Sequence, residues 1–497
     1  MSLTNSEARP GDPGARSGGD PEPAAARGPS AGWTLGLASA ATALMLLDVT
    51  VVYLALPAVA TDLEATFTAQ QWVVDAYALA VAAALLPAGA AADRDGRLRV
   101  FLIGLIAFAV ASGLCAAAPS ATTLDLARAL QGLAAALVLS AALALIAGAF
   151  PGDRQPTALA IWGAVSGAAL AVGPVVGGLL VDGPGWRWVF ALNVPMGLGL
   201  AALARVKAID SRDPSAPPPD LRGAALFAAA LALGVAALLR GNDEGWSSLP
   251  IVAGLAGAVV LAVIFVLVEL RSDRPMLDPR NFLRPTFSGT VSVAVLQSVA
   301  IYPVLLFVAV DLQVAHGFDP LAAGLRVLPV TLTYLITAPI AAVLLKRVPH
   351  RYSLAAGLIG VGAGLLLLRG AVDDPDWTAL LPGLFVFGAG SGCLSPSLAA
   401  AAIAALPDGR AGLASGVGNT FRQAGIAVGV AILGAVFAAA PANSGAAGEL
   451  LRGERADALA VAAFVDGFEA ALLAAAIASA LGALAALAVS TGPSRAP

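Results

Sequence analysis

Apolar residues run along this chain in long blocks, and the short segments between them hold nearly all of its charge. The blocks lack both the strict alternation of a half-buried strand and the single polar face of a surface helix. About 20 consecutive apolar residues form a helix long enough to cross a bilayer. The pattern predicts fourteen such spans, at residues 33–57, 70–92, 99–118, 122–149, 157–181, 187–206, 221–240, 250–270, 286–311, 321–345, 352–370, 378–404, 412–439 and 463–489. No ten-residue alternating segments of an outer-membrane barrel occur.

Residues 1–31 are Pro, Gly, Ala, Ser and Arg with almost no large apolar side chain, so they are expected to form a disordered tail. The first apolar block starts too late for a secretory signal. With the N-terminus placed inside, twenty Lys and Arg residues fall in inner segments, five in outer segments and three within spans. That asymmetry follows the positive-inside rule and places both termini in the cytoplasm. A missed span would swap every later loop and dilute the bias.

Composition agrees. Of 497 residues, 59% are hydrophobic and 12% charged, where a soluble domain carries about 25% charge. Mean hydropathy is +0.85. These values exclude a soluble enzyme, a coiled coil and a disulfide-stapled secreted domain. The longest loops, 206–221, 271–286 and 440–462, are too short to house a catalytic domain. A net charge of −4 without a basic face points away from nucleic acid. Cys115 and Cys393 lie in apolar runs without a CxxC neighbour, and His316 and His350 lie in loops, so no metal site or cofactor is expected.

Charge inside a span costs about 2.5–3.5 kcal/mol on insertion scales and reads as functional by default. Counted from the predicted span ends at about 1.5 Å per residue, Asp48 lies roughly 14 Å deep, Arg128 roughly 9 Å and Asp75 roughly 8 Å, all in the outer half. An acid and an arginine in one cavity of low dielectric can pair, and a cavity that alternates its exposure can switch the acid between binding and releasing a proton. Asp48, Asp75 and Arg128 are therefore the candidate proton-coupling residues. Asp125, Asp311 and Arg326 read as boundary residues, and Arg422 as a candidate in the second half.

Ordered motifs surround these residues. Between spans 2 and 3, Gly89, Asp93, Arg94, Gly96 and Arg97 combine small residues for close helix approach with charges at an anionic inner surface. In span 5, Gly163, Gly167, Gly173 and Gly177 keep a nearly four-residue beat suited to tight helix packing, and Pro174 bends the helix locally. Span 4 carries Arg128-Ala129-Leu130-Gln131-Gly132, and span 6 opens Trp186-Arg187-Trp188 and leads into Asn193-Val194-Pro195. Later come Arg280-Asn281-Phe282, Gly324-Leu325-Arg326 and Asn419-Thr420-Phe421-Arg422-Gln423.

This order of motifs over most of residues 33–440 resembles the major facilitator superfamily, in its fourteen-span drug:proton antiporter branch. The resemblance implies an all-α membrane fold of two six-helix bundles, residues 32–206 and 286–490. Two inserted helices would lie in 207–285 and a short tail in 491–497. It implies that Asp48 and Arg128 take part in proton coupling, with Asp75 acidic in only some members. The loop Gly89, Asp93, Arg94, Gly96 and Arg97 becomes a conformational latch. Its second-half counterpart, Lys346 to Arg351, keeps the basic charge but lacks the acid. Gly173, Pro174, Gly177 and Gly178 match an antiporter motif, with Ala169 where a glycine is often found. Tyr53, Trp72, Tyr77, Gln131, Asn419, Arg422 and Gln423 are the candidate cavity lining, Tyr53 standing where Asn is commoner. The expected partners are protons, the lipid bilayer and a lipophilic, possibly cationic drug or antibiotic, handled by a monomer in a bacterial cytoplasmic membrane. Export of a lipid or endogenous metabolite, or proton-coupled uptake, stays open as an alternative.

Overall fold

The computed structural model describes residues 29–212, 218–344, 348–405, 411–440 and 458–489. Fourteen helices among the described residues are long and apolar enough to cross a membrane. A backbone in hydrocarbon must satisfy its own hydrogen bonds, which a helix does within one segment. The helices are α1 (Pro29–Leu63), α2 (Phe67–Asp95), α3 (Arg97–Ala116), α4 (Ala121–Ala149), α5 (Gln155–Asp182), α6 (Arg187–Lys207), α7 (Leu221–Glu244) and α8 (Leu249–Arg271). They continue as α9 (Pro285–Val314), α10 (Pro320–Leu344), α11 (His350–Arg369), α12 (Leu381–Ala404), α13 (Ala411–Ala438) and α14 (Ala458–Leu487). The predicted tails lie outside the described residues, apart from residues 29–31, which are helical.

Span boundaries differ most where the sequence places an end at a charge or a proline. Pro57 is inside α1, which runs on to Leu63. Asp48 is therefore about 22 Å from that end at 1.5 Å per residue, deeper than expected. The helix α2 starts at Phe67, capped by the Thr66 side chain, so Asp75 also lies deeper, at about 12 Å. The helix α6 is interrupted at Leu192, between Arg187–Ala191 and Asn193–Lys207. That break puts Asn193 at the start of the longer segment.

The face carrying the α1–α2 connection is called distal, and the face carrying the α2–α3 turn proximal. The helices α1 to α6 pack among themselves, as do α9 to α14. The two sets meet where α2 lies on α13, α5 on α10 and α1 on α9. The helices α7 and α8 pair with each other, and α7 leans on α2 and α13. Large apolar side chains face outward on many helices, among them Leu126, Leu130, Val259, Val260 and Ile336. Lipid is as apolar as a protein core, so this exposure is the expected lipid-facing surface.

The two sets are closed together at the distal end. Phe67 of α2 has its ring centroid 5.1 Å from Phe437 of α13 and 6.4 Å from Phe307 of α9. Phe307 stacks on Phe437 and on Phe468 of α14. Nearby, Gln71 donates to the Val430 carbonyl at 3.0 Å, and Asn242 to the Ala435 carbonyl at 2.7 Å.

Candidate functional site

Asp48 on α1 is 1% exposed and Arg128 on α4 is likewise 1% exposed. Arg128 Nη1 lies 2.7 Å from Asp48 Oδ2. The other carboxylate oxygen, Oδ1, accepts from Asn193 Nδ2 at 2.6 Å and from Gln131 Nε2 at 2.9 Å. Arg128 Nη1 also donates to Gln131 Oε1 at 2.6 Å, and its Nε donates to the Val73 carbonyl at 3.0 Å. Gln131 Nε2 reaches Ser112 Oγ at 2.9 Å. The guanidinium carbon stands 4.4 Å above the Tyr77 ring. Five helices thus build one buried polar cage, in which the carboxylate receives three side-chain donors.

Such completeness is what burial demands. A buried ion pair offsets its desolvation only when geometry is good and the remaining lone pairs are bonded. Helix spacing supplies part of it: Arg128 and Gln131 are three residues apart and share one face of α4. Gly132 sets the distance to α2, since a side-chain carbon there would stand 2.4 Å from the Tyr77 carbonyl oxygen.

Asp75 has a different environment. It is fully buried, and neither carboxyl oxygen has a hydrogen-bond partner. The expected grouping of Asp75 with Arg128 is therefore not a bonded one. The Tyr53 hydroxyl, also buried, has no partner either.

The expected cavity residues divide. Tyr53, Tyr77, Arg128 and Gln423 line a narrow cavity between α1, α2, α4 and α13, with room for about one water molecule. Gln131 is part of the Asp48 cage. Trp72 packs instead against an apolar cluster that α2, α7 and α13 build together, with Leu79, Val235, Leu239 and Ile426 among its members. Arg422 donates from Nη2 to Asn419 Oδ1 at 2.5 Å, one turn away on α13.

The span 5 glycines do not act alike. A side-chain carbon at Gly173 would stand 1.8 Å from Thr50 Oγ1, and one at Gly177 would stand 3.1 Å from the Val51 Cα, both on α1. At Gly178 it would meet Leu321 Cα of α10 at 2.6 Å. In return, a side-chain carbon at Gly324 of α10 would lie 2.3 Å from the Pro174 carbonyl oxygen. At Gly167 the nearest atom is Leu335 Cδ2 at 3.5 Å, and at Gly163 nothing lies within 4 Å. The tight seam is therefore distal, and the regular beat from Gly163 does not extend it inward.

In the α2–α3 turn, Gly96 has φ +110°, which L side chains rarely adopt. Arg97 pairs with Asp93 at 2.9 Å and donates to the Ala144 carbonyl and Ser211 Oγ. Asp210 Oδ1 accepts from Leu98 N at 3.0 Å. These bonds tie the turn to the segment after α6, while Arg94 is exposed. Gly89 does not create a close approach: a side-chain carbon there would meet Ser140 Cβ at an ordinary 3.9 Å. Lys346 and Arg347 lie outside the described residues.

Among the cage members not legible in the sequence, beside Ser112, is Asn193. It appeared only within Asn193-Val194-Pro195, and a neutral amide carries no insertion cost large enough to flag it. Asp311 was read as a boundary residue but is fully buried.

Fourteen apolar helices around a fully bonded buried ion pair define a multi-pass membrane protein. The chain belongs to the Major Facilitator Superfamily, whose family pattern it matches over residues 38–430 and 287–496. It is similar to the puromycin resistance protein pur8 of Streptomyces alboniger, with 38% identity over 429 residues and 85% of each chain covered. It is similar to the multidrug resistance protein Stp of Mycobacterium tuberculosis, with 35% identity over 398 residues, covering 80% of this chain and 74% of that one. The multidrug efflux pump LfrA of Mycolicibacterium smegmatis shares 32% identity over 448 residues, covering 87% and 89%. Among solved structures, the fold is similar to a bacterial homolog of the human lysosomal transporter Spinster, in an inward-facing and unoccupied conformation. The TM-score is 0.64 at 18% identity, covering 93% of this chain and 98% of that one. The chain is a transporter and not an enzyme, and members of its family act on small-molecule substrates.

Proposed function

We propose that this protein exports lipophilic, cationic drugs or antibiotics across a bacterial cytoplasmic membrane, as a monomer, in exchange for protons. The proximal face would be cytoplasmic, which fits the surplus of basic residues on that side. Residues 32–206 and 286–490 would be the rocking bundles, with 207–285 inserted between them.

The observation that carries the coupling is the cage: a carboxylate buried in a bilayer-spanning bundle, held by Arg128, Gln131 and Asn193. Three donors converge on the Asp48 carboxylate. Asp75, with no donor at all, is the natural resting place for a proton in this same conformation. Rocking the bundles would part α2 from α13 and change the surroundings of both. Tyr77 and the face of Arg128 link the cage to the cavity that Gln423 lines, so cargo or proton there is felt at Asp48 through one guanidinium.

The drive is adequate. A one-for-one exchange of a proton for a monovalent cation moves no net charge, so the voltage contributes only when one net charge enters per cargo, as with two protons per cation; at about 2.3 kcal/mol per 100 mV, about 150 mV then supplies roughly 3.5 kcal/mol. At about 1.4 kcal/mol per decade, that sustains a gradient on the order of a few hundredfold.

The distal seam supports the coupling. Gly173 and Gly177 press α5 onto the helix that carries Asp48, while Gly178 and Pro174 press it onto α10. A change at the carboxylate can therefore reach the contact that closes the distal end.

A second reading has its own support. Similar chains include the tetracenomycin C resistance and export protein of Streptomyces glaucescens, at 32% identity, and a probable actinorhodin transporter of Streptomyces coelicolor, at 34%. Export of a self-made metabolite fits the same geometry. A resistance panel in an efflux-deficient host separates the two. Raised tolerance to several unrelated lipophilic cations supports multidrug export, tolerance to one compound class supports dedicated export, and unchanged tolerance throughout contradicts both.

A further inference from the structure

A second group of buried ionisable side chains lies at the distal end of the other half, far from Asp48 in sequence. Asp311, in the last turn of α9, is fully buried, and neither carboxyl oxygen has an aligned hydrogen bond. His316, in the connection to α10, places Nδ1 3.5 Å from Asp311 Oδ2, an ion-pair separation. The His316 side chain is 7% exposed. Its backbone N–H donates to the Asp311 carbonyl at 3.2 Å, which holds the residue's main chain against the helix end.

The surroundings tie this pair to three helices. The His316 ring lies nearly parallel to Phe318, 7° apart with centroids at 6.1 Å. Arg326 of α10 sits over Phe318 at 3.6 Å and over Trp377, before α12, at 4.9 Å. Asp311 is one turn beyond Phe307, the ring that meets Phe67 from the other half. The charged groups around the imidazole are Asp311 from α9, Arg326 from α10 through Phe318, and Asp376 with the Asp374 carbonyl from the α11–α12 connection.

On the orientation proposed above, we infer that Asp311 and His316 form an external proton-binding site whose protonated state holds the distal gate of aromatic rings closed. An imidazolium would pair with the buried carboxylate and donate to the Asp374 carbonyl. A neutral ring would leave a charged Asp311 buried without a counter-ion. The end of α9 would then move toward water and carry Phe307 with it. The Asp311 carboxylate beside His316 raises the imidazole above its ordinary range, against the opposing effect of burial. A raised histidine stabilises the closed form fully below its unfolded value, and this stabilisation is lost as pH rises through the folded value. The gate is therefore expected to be closed in acid and to loosen in alkali.

The test reads the gate and not transport. In a background with Cys115→Ala and Cys393→Ala, labels at Thr61→Cys and Leu459→Cys report the distal separation in nanodiscs, with no substrate and no gradient. The short-distance population is expected to fall with rising pH, its midpoint above the free-histidine value of about 6.5. His316→Gln is expected to remove the titration, and His316→Arg to keep the short distance at every pH. Asp311→Asn is expected to lower the midpoint by about 1 pH unit or more. A wild-type titration curve in His316→Gln overturns the inference. Because no proton gradient enters the measurement, its outcome is separate from whether export is proton-driven. If proton-driven export fails, a gate that still titrates through His316 keeps this site.

Discussion

Asn193 donates to Asp48 Oδ1 at 2.6 Å, so the carboxylate that Arg128 neutralises is also gripped by a neutral amide from the far side. The amide comes from α6, beyond its interruption at Leu192. Asn193→Ala is expected to leave the ion pair in place but to remove one of three donors. A hydrogen bond to a charged group is worth about 1.5–3 kcal/mol, so proton release becomes harder and the pH midpoint of exchange moves upward. An unshifted pH profile of drug–proton exchange in Asn193→Ala contradicts this role.

Arg128→Ala removes the counter-charge and leaves a buried carboxylate unpaired. Breaking a buried pair in this way costs about 3–5 kcal/mol. The variant is expected to lose thermal stability in detergent, and Asp48→Asn introduced on top should restore much of it. A double variant no more stable than Arg128→Ala argues against an anionic Asp48.

Asp75→Asn is expected to fold with stability close to wild type, because a neutral side chain of the same shape replaces a buried carboxyl that has no bonded partner to lose. Transport should nevertheless move fewer protons per cargo molecule. The check is simultaneous measurement of proton and drug flux in liposomes; an unchanged ratio removes Asp75 from the coupling.

At the distal seam, Gly173→Ala sets a methyl against Thr50 Oγ1, where only 1.8 Å is free. Most transport activity should be lost, and Thr50→Ala should recover part of it, with a coupling of about 0.5–3 kcal/mol. Gly178→Ala meets backbone atoms of Pro320 and Leu321, so no side-chain change should rescue it. Additive effects in the Gly173–Thr50 cycle contradict the packing argument.

Much of this was legible in the residue pattern because lipid enforces a simple code. Uncharged runs became helices, and the insertion cost of charge marked Asp48 and Arg128 before their partnership was visible. What stayed hidden depends on three-dimensional contact. Gly89 and Gly163 read as packing residues, yet neither meets a close neighbour. Trp72 reads as cavity lining, yet it packs on an apolar cluster shared by α2, α13 and the inserted helix α7, whose position no local pattern reveals. Asn193 and Gln131 are neutral, so nothing in their cost of burial announced that they complete a cage. Asp311 reads as a boundary residue because it and Arg326 flank one outer loop, yet α9 continues past it to Val314.

The most direct measurement follows cargo and pH together in liposomes that carry purified protein under an imposed gradient, acid outside the cytoplasmic face equivalent. The account predicts uphill drug movement with matching proton flux in wild type, and loss of both the uphill movement and the flux in Asp48→Asn. Uphill movement that persists in Asp48→Asn, or in wild type after an ionophore has abolished both pH difference and voltage, would contradict it.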